Sequence, residues 1–144
     1  MTMTIRELRK EDLPQLAHLY KQFWGQESSV EKMSREWEAI AAEKNHILLI
    51  GVKDKKVMAS VTGIVCRELY GDCRPFLVVE NMIVDKPFRR CGAGQALLSV
   101  LESKAKAMNC AQMVLVTESE REDACCFYEK NGFQKNNKGY KKLI

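Results

Sequence analysis

The hydrophobic pattern changes period near Gly92, and that change constrains the fold more than any other feature. Phe76-Leu77-Val78-Val79-Glu80-Asn81-Met82-Ile83-Val84 is an apolar, β-branched run that reads as a strand. From Gly92 the apolar residues take helical spacing, at Ala93, Leu97, Val100, Leu101, Ala105 and Met108, and the pattern ends near Asn109. Met113 to Thr117 is again a short strand of the buried type. Strand, helix and strand in succession make a right-handed crossover that leaves the two strands parallel.

The residues before this unit predict a different pairing. Thr4 to Arg6 reads as a first strand, and Asp12 offers an N-cap to a helix carrying Pro14, Leu13, Leu16, Ala17 and Tyr20. Gly25 interrupts that pattern, and a second helix starts near Ser29 with Val30, Met33, Trp37, Ile40 and Ala41 on one side. Ile47 to Val52 and Val57 to Cys66 are strands joined by a tight turn at Asp54-Lys55-Lys56, which lacks the usual glycine. These two strands and the one at Phe76 should be antiparallel, because short turns join them. Asp123 to Lys130 is a short helix stopped at Asn131-Gly132, and Phe133 with Tyr140 to Ile144 reads as a last β segment. The expected fold is α/β: a mixed, mostly antiparallel sheet with one parallel pair and helices on both faces.

A chain of 144 residues suits one domain, residues 1–144, and its 46% hydrophobic and 29% charged residues exclude disorder. No apolar run approaches the ~20 residues of a membrane-spanning helix, so no membrane partner is expected and the cytoplasm is the expected location. The net charge of +4 comes from 23 basic and 19 acidic residues that are widely mixed, which argues against a nucleic-acid partner. Cys66, Cys73, Cys91, Cys110, Cys125 and Cys126 show no metal-ligand spacing; the reading is free thiols and no metal.

The chemistry concentrates between the strand and the long helix. In Arg89-Arg90-Cys91-Gly92-Ala93-Gly94-Gln95, the glycines remove Cβ atoms where a ligand would approach the backbone. The helix that follows presents unpaired N–H groups and a positive dipole end, a setting for phosphate. The Walker loop is excluded, since no Gly-Lys-Ser or Gly-Lys-Thr follows. A dinucleotide fingerprint fits poorly, since Leu97 occupies its third small position. Taken alone, the stretch also fits a glycine-softened helix start beside solvated arginines.

A second segment, Ala124-Cys125-Cys126-Phe127-Tyr128-Glu129-Lys130-Asn131-Gly132-Phe133, narrows the reading. With Arg89-Arg90-Cys91-Gly92-Ala93-Gly94 upstream, the chain resembles the GCN5-related N-acetyltransferase (GNAT) superfamily, whose pyrophosphate motif runs Gln/Arg-x-x-Gly-x-Gly/Ala. Both motifs stand in that family's order, and the resemblance is strong from Phe76 to Phe133 and topological before it. It implies a GNAT-type acyl-CoA N-acyltransferase fold whose parallel pair splays open, with acetyl-CoA as cosubstrate. By the same resemblance, the backbone from Arg89 through Gln95 cradles the pyrophosphate. Met82, Ile83 and Val84 bind the pantetheine arm through their main chain. Tyr128 protonates the departing thiolate. Glu80, a carboxylate in an apolar strand, stands where many members carry an acid that deprotonates the amine. Arg121 occupies a position where the family often has a cofactor-contacting asparagine, which leaves Arg121 or Ser119 to reach a phosphate or pantetheine group.

The resemblance also directs acceptor recognition to the first two helices, where Tyr20, Phe23, Trp24 and Glu27 surround Gly25. Aromatic faces and a carboxylate suit a cationic amine, although Phe23 and Trp24 equally suit a helix end in the core. The expected activity is transfer of an acetyl group to a primary amine of a small molecule or peptide by direct attack. A non-catalytic acyl-CoA-binding sensor or scaffold on the same fold is the alternative. The final β segment is the expected interface of a homodimer.

Overall fold

The computed structural model describes residues 2–144. Strands β1 (Thr4–Glu7), β2 (His46–Lys53), β3 (Lys56–Cys66), β4 (Phe76–Val84) and β5 (Met113–Val114) form one sheet in the order β1-β2-β3-β4-β5. The helices are α1 (Leu13–Trp24), α2 (Val30–Glu43), α3 (Ala93–Ala107) and α4 (Glu122–Lys130), with 3-10 turns at Lys10–Asp12 and Lys86–Phe88. The first four strands are mutually antiparallel, and β5 joins β4 in parallel through α3. This is the expected mixed sheet. The chain forms two compact units, one ending at Val114 and the other Leu115–Ile144.

Local chemistry accounts for most boundaries. Ser29 accepts a hydrogen bond from the Lys32 amide at 3.3 Å and caps α2. The β2–β3 turn holds Asp54 and Lys55 at φ of +50° and +63°, the positive pair that a two-residue hairpin requires, without any glycine. Asp12 departs from its expected role. Its backbone is already helical and its side chain caps nothing in α1; it binds Arg6 and the Arg9 amide instead.

In the first unit, α1 and α3 cover opposite faces of the sheet. Leu13, Leu16 and Leu19 of α1 pack with Ile50, Val57 and Ile83. On the other face, a Cβ built on Gly63 would lie 2.7 Å from Leu101 of α3 and 3.1 Å from Leu77, so β3 keeps a glycine where the helix presses closest. Leu97 and Leu101 are fully buried, each stabilising the fold by roughly 1.5–3 kcal/mol through burial. The buried stripe of α3 includes Leu98, whereas Met108, expected on that stripe, lies beyond the helix and is exposed.

Two expected strands are shorter or missing. The fifth strand, expected to reach Thr117, ladders only at Met113 and Val114. The β segment expected at Phe133 and Tyr140 to Ile144 does not form. Within the second unit, that stretch meets residues 116–118 through side chains: Lys141 pairs with Glu118 at 2.7 Å, and Gly139 lies against Val116. Such contacts leave Tyr140, Leu143 and Ile144 exposed and set up no backbone ladder.

Candidate active site

β4 is interrupted by a bulge. Ser60 pairs with Ile83 and Thr62 pairs with Glu80, so β3 advances two residues while β4 advances three. Asn81 takes up the excess with φ of +51°, in the left-handed region that Asn tolerates better than most residues. The bulge reverses the facing of the strand. Leu77 points to the α3 side with Leu101, whereas Ile83 packs on the α1 side. Glu80, opposite Thr62, shares the α1 face and is exposed, with no ion pair among the described residues.

The far edge of β4 is laddered only at its start. Its ladder to β5 covers Leu77 and Val78 only, so the backbone from Val79 to Val84, which includes Met82, Ile83 and Val84, runs on without a strand partner on that side. A chain edge of free N–H and C=O groups is a template for an extended polar ligand.

Past Val84 the chain folds into a tight connection. Asp85 donates its amide to the Met58 carbonyl at 2.8 Å, and Pro87 lies in the following 3-10 turn. Arg89 turns back and donates from Nε to the Val84 carbonyl at 2.9 Å, while Arg90 is exposed. Arg90 at φ +61° and Gly92 at φ +83° are both left-handed. Gly92 stands at the N-cap of α3, and no side chain caps the helix there. A Cβ on Gly92 would meet nothing within 4 Å, so glycine serves the backbone conformation at this position. Cys91 and Gln95 are exposed, and Ala93 and Gly94 are buried under the first turn.

Free amides at the start of a 15-residue helix, beside Arg89 and Arg90, form a donor set that suits a diphosphate. Lys53, at the end of β2, lies 5.8 Å over the Phe88 ring and adds a cation that the sequence pattern did not mark. Among the described residues, no three His, Cys, Asp or Glu side chains gather as metal ligands do, and no helix is long and apolar enough to cross a membrane.

The four α1-end residues divide by exposure. Tyr20 turns inward: burial pushes its phenol above the ordinary value, while Thr62, Ser60 and Asn81 beside it pull the other way. Phe23 packs against the core cluster. Trp24 is half exposed and meets Tyr20 and Phe23 edge-on, with ring centroids at 5.3 and 4.8 Å. Glu27 is exposed and paired with Lys21, which holds its carboxyl below the usual range. Ser60, Thr62 and Asn81 are site neighbours that the sequence analysis missed; two hydroxyls in an apolar strand were the available signal.

In the second unit, Arg121 precedes α4 and is exposed, and Tyr128 is half-buried on the helix, 5.3 Å from Phe127 and 5.6 Å from Phe133 between ring centroids. Gly132 follows at φ +88°, the expected glycine stop.

A mixed sheet with a bulged fourth strand and a glycine-led helix after it is a fold shared with acetyltransferases of known structure. The chain belongs to the acetyltransferase (GNAT) family, whose model matches residues 11–133. Its fold is shared with glucosamine-6-phosphate N-acetyltransferase from Arabidopsis thaliana, with a TM-score of 0.90, 23% identity and coverage of 100% of this chain and 99% of that one. A transcriptional regulator from Bacillus halodurans C-125 is equally similar, with a TM-score of 0.91, 24% identity and coverage of 99% and 100%. Protein YdhI of Bacillus subtilis (strain 168) is 36% identical over 63 residues, 44% of this chain. That match spans 36% of YdhI, little more than a third of its length.

Proposed function

We propose that the chain is an acetyl-CoA-dependent N-acetyltransferase, with residues 1–144 acting as one domain on a primary amine of a small molecule or peptide. The observation that carries the reading is the sequence of features along one strand and its connection. Glu80 is followed by the Asn81 bulge, the backbone of Met82 to Val84 with no ladder to β5, and the uncapped N-terminus of α3.

Acetyl-CoA supplies an activated thioester. The amides from Arg89 to Gln95, with the charges of Arg89 and Arg90, hold its diphosphate; Met82, Ile83 and Val84 bind the pantetheine through main-chain groups, with Arg121 as a further polar contact. Donors near Met82 polarise the reacting carbonyl. A lysine-like amine has a pKa near 10.4, so only about one molecule in a thousand is neutral at pH 7.4, a cost of roughly 4 kcal/mol. Glu80 removes that proton, directly or through water. Tyr128 returns a proton to the leaving sulfur, downhill by roughly 2 kcal/mol from a phenol near 10 to a thiol near 8.5. Trp24, Phe23, Tyr20 and Glu27 receive the cationic acceptor. The Arabidopsis neighbour is named for an amino-sugar substrate, which makes hexosamine phosphates a first class to try beside aminoglycosides, polyamines, amino acids and peptides.

The test is thiol release from acetyl-CoA across that panel, with CoA binding measured on the same preparation. Turnover with one class supports the enzyme and assigns its acceptor. CoA binding without turnover on any class favours the sensor or scaffold reading. No CoA binding overturns both.

A further inference from the structure

Ser60 and Thr62 are buried hydroxyls in a stretch of β3 that is otherwise apolar, on the face where Leu16, Leu19, Ile50 and Ile83 form the core. Burying hydroxyls in such a setting costs free energy unless they are paired. The Ser60 hydroxyl nevertheless closes no well-formed hydrogen bond with any described group. Packing alone therefore does not account for a hydroxyl at this position. What the two hydroxyls share is a polar neighbour: Tyr20 of α1 packs against the core that Ile50 and Ile83, the strand partners of Ser60, help to form, and its phenol has Ser60, Thr62 and Asn81 as its polar surroundings. Ser60 and Thr62 are the β3 residues paired on either side of the bulge, and Asn81 is the residue that makes it.

We propose that Tyr20 is a positioning residue that holds the β4 bulge: its phenol, seated on Ser60 and Thr62, fixes the Asn81 side chain and so the left-handed backbone at φ +51°. A non-glycine residue in that conformation costs of order 1 kcal/mol and persists where its surroundings over-determine it. The bulge sets the direction of Glu80 on one side and of the Met82 main chain on the other. Trp24, half exposed and edge-on to Tyr20, places the same helix end in contact with solvent where an acceptor arrives. Tyr20 thereby links the acceptor end of α1 to the strand that aligns the reacting groups. The kinetic part of this inference rests on the acetyltransferase reading; the structural part does not.

The experiment compares Tyr20→Phe with the wild-type chain by amide hydrogen exchange, CoA binding and turnover. Phenylalanine keeps the ring and its contact with Trp24 and removes only the hydroxyl. Exchange at Glu80 and Ile83, which ladder with β3 on either side of the bulge, should accelerate roughly tenfold while Leu49 and Ile50 in β2 stay unchanged, as local opening demands. CoA affinity should hold, and kcat should fall about tenfold, a larger change than any in the acceptor KM. Asn81→Gly keeps the positive φ but removes the side chain; it should reproduce both changes, and the double variant should be no worse than either single one. Unchanged exchange at the bulge, exchange rising equally in β2, or additive single-variant effects would each overturn the proposal. If the wild-type chain turns over no amine, the enzymatic reading fails and the exchange data alone decide the role of Tyr20.

Discussion

Arg6 grips both carboxylate oxygens of Asp12, at 2.7 and 2.8 Å, and joins β1 to the turn that launches α1. The Asp12 side chain is only 7% exposed, and it also accepts the Arg9 amide at 2.8 Å. A forked, nearly buried pair of this kind is sensitive to loss of either member, because the remaining charge is left without a partner.

Stability should follow that pair in acid. The Arg6 guanidinium holds the Asp12 carboxyl below its ordinary range, so the folded chain binds this proton less readily than the unfolded one. The contribution is therefore complete above pH of about 4 and is lost as pH falls through the lower, folded value. Asp12→Asn should destabilise the protein by about 1–3 kcal/mol at pH 7 and flatten the acid limb of its denaturation profile. Urea unfolding from pH 7 to pH 2 would read both.

Gly92 makes a second prediction, set by backbone alone. At φ +83° with open space around its Cβ position, Gly92→Ala introduces strain without a clash. Stability should fall by about 1 kcal/mol, and CoA should bind more weakly as the α3 N-terminus shifts. Gly92→Asn, which tolerates the left-handed region better, should recover part of both losses in calorimetric titration.

For Glu80, removal of the charge should leave the fold intact, since the side chain is exposed and unpaired among the described residues. Glu80→Gln should lower kcat/KM by about 10²-fold at neutral pH and move the rising limb of the pH–rate profile upward. An unmoved limb would remove Glu80 from proton transfer.

Tyr128→Phe should cut the rate of the chemical step while CoA affinity stays the same, because the hydroxyl acts only as the sulfur leaves. Single-turnover kinetics separates the two. An unchanged rate would make Tyr128 an aromatic filler packed between Phe127 and Phe133.

Local chemistry was the legible part. The strand at Phe76–Val84, the helix begun at Gly92, the Ser29 cap and the Gly132 stop all rest on residues within a few positions of one another. The antiparallel run and the parallel crossover followed from connection length, and the two motifs, Arg89 to Gly94 and Ala124 to Phe133, led to the family. Asp12 was misread as an ordinary helix cap because its true partner, Arg6, competes for the same carboxylate once β1 is in place. The C-terminal strand was misread because apolar residues mark a candidate strand and say nothing of whether a neighbouring backbone lies in register.

The order of elements, the helix starts and stops, and the glycine-led turn before α3 were determined by the sequence alone, since propensity and short-range hydrogen bonding act between neighbours. Only the tertiary structure decided the bulge at Asn81, the inward turn of Tyr20 onto Ser60 and Thr62, and the Arg6–Asp12 pair. Each joins residues from separate elements, and their geometry exists only after the strands have taken register and the helices have packed on them.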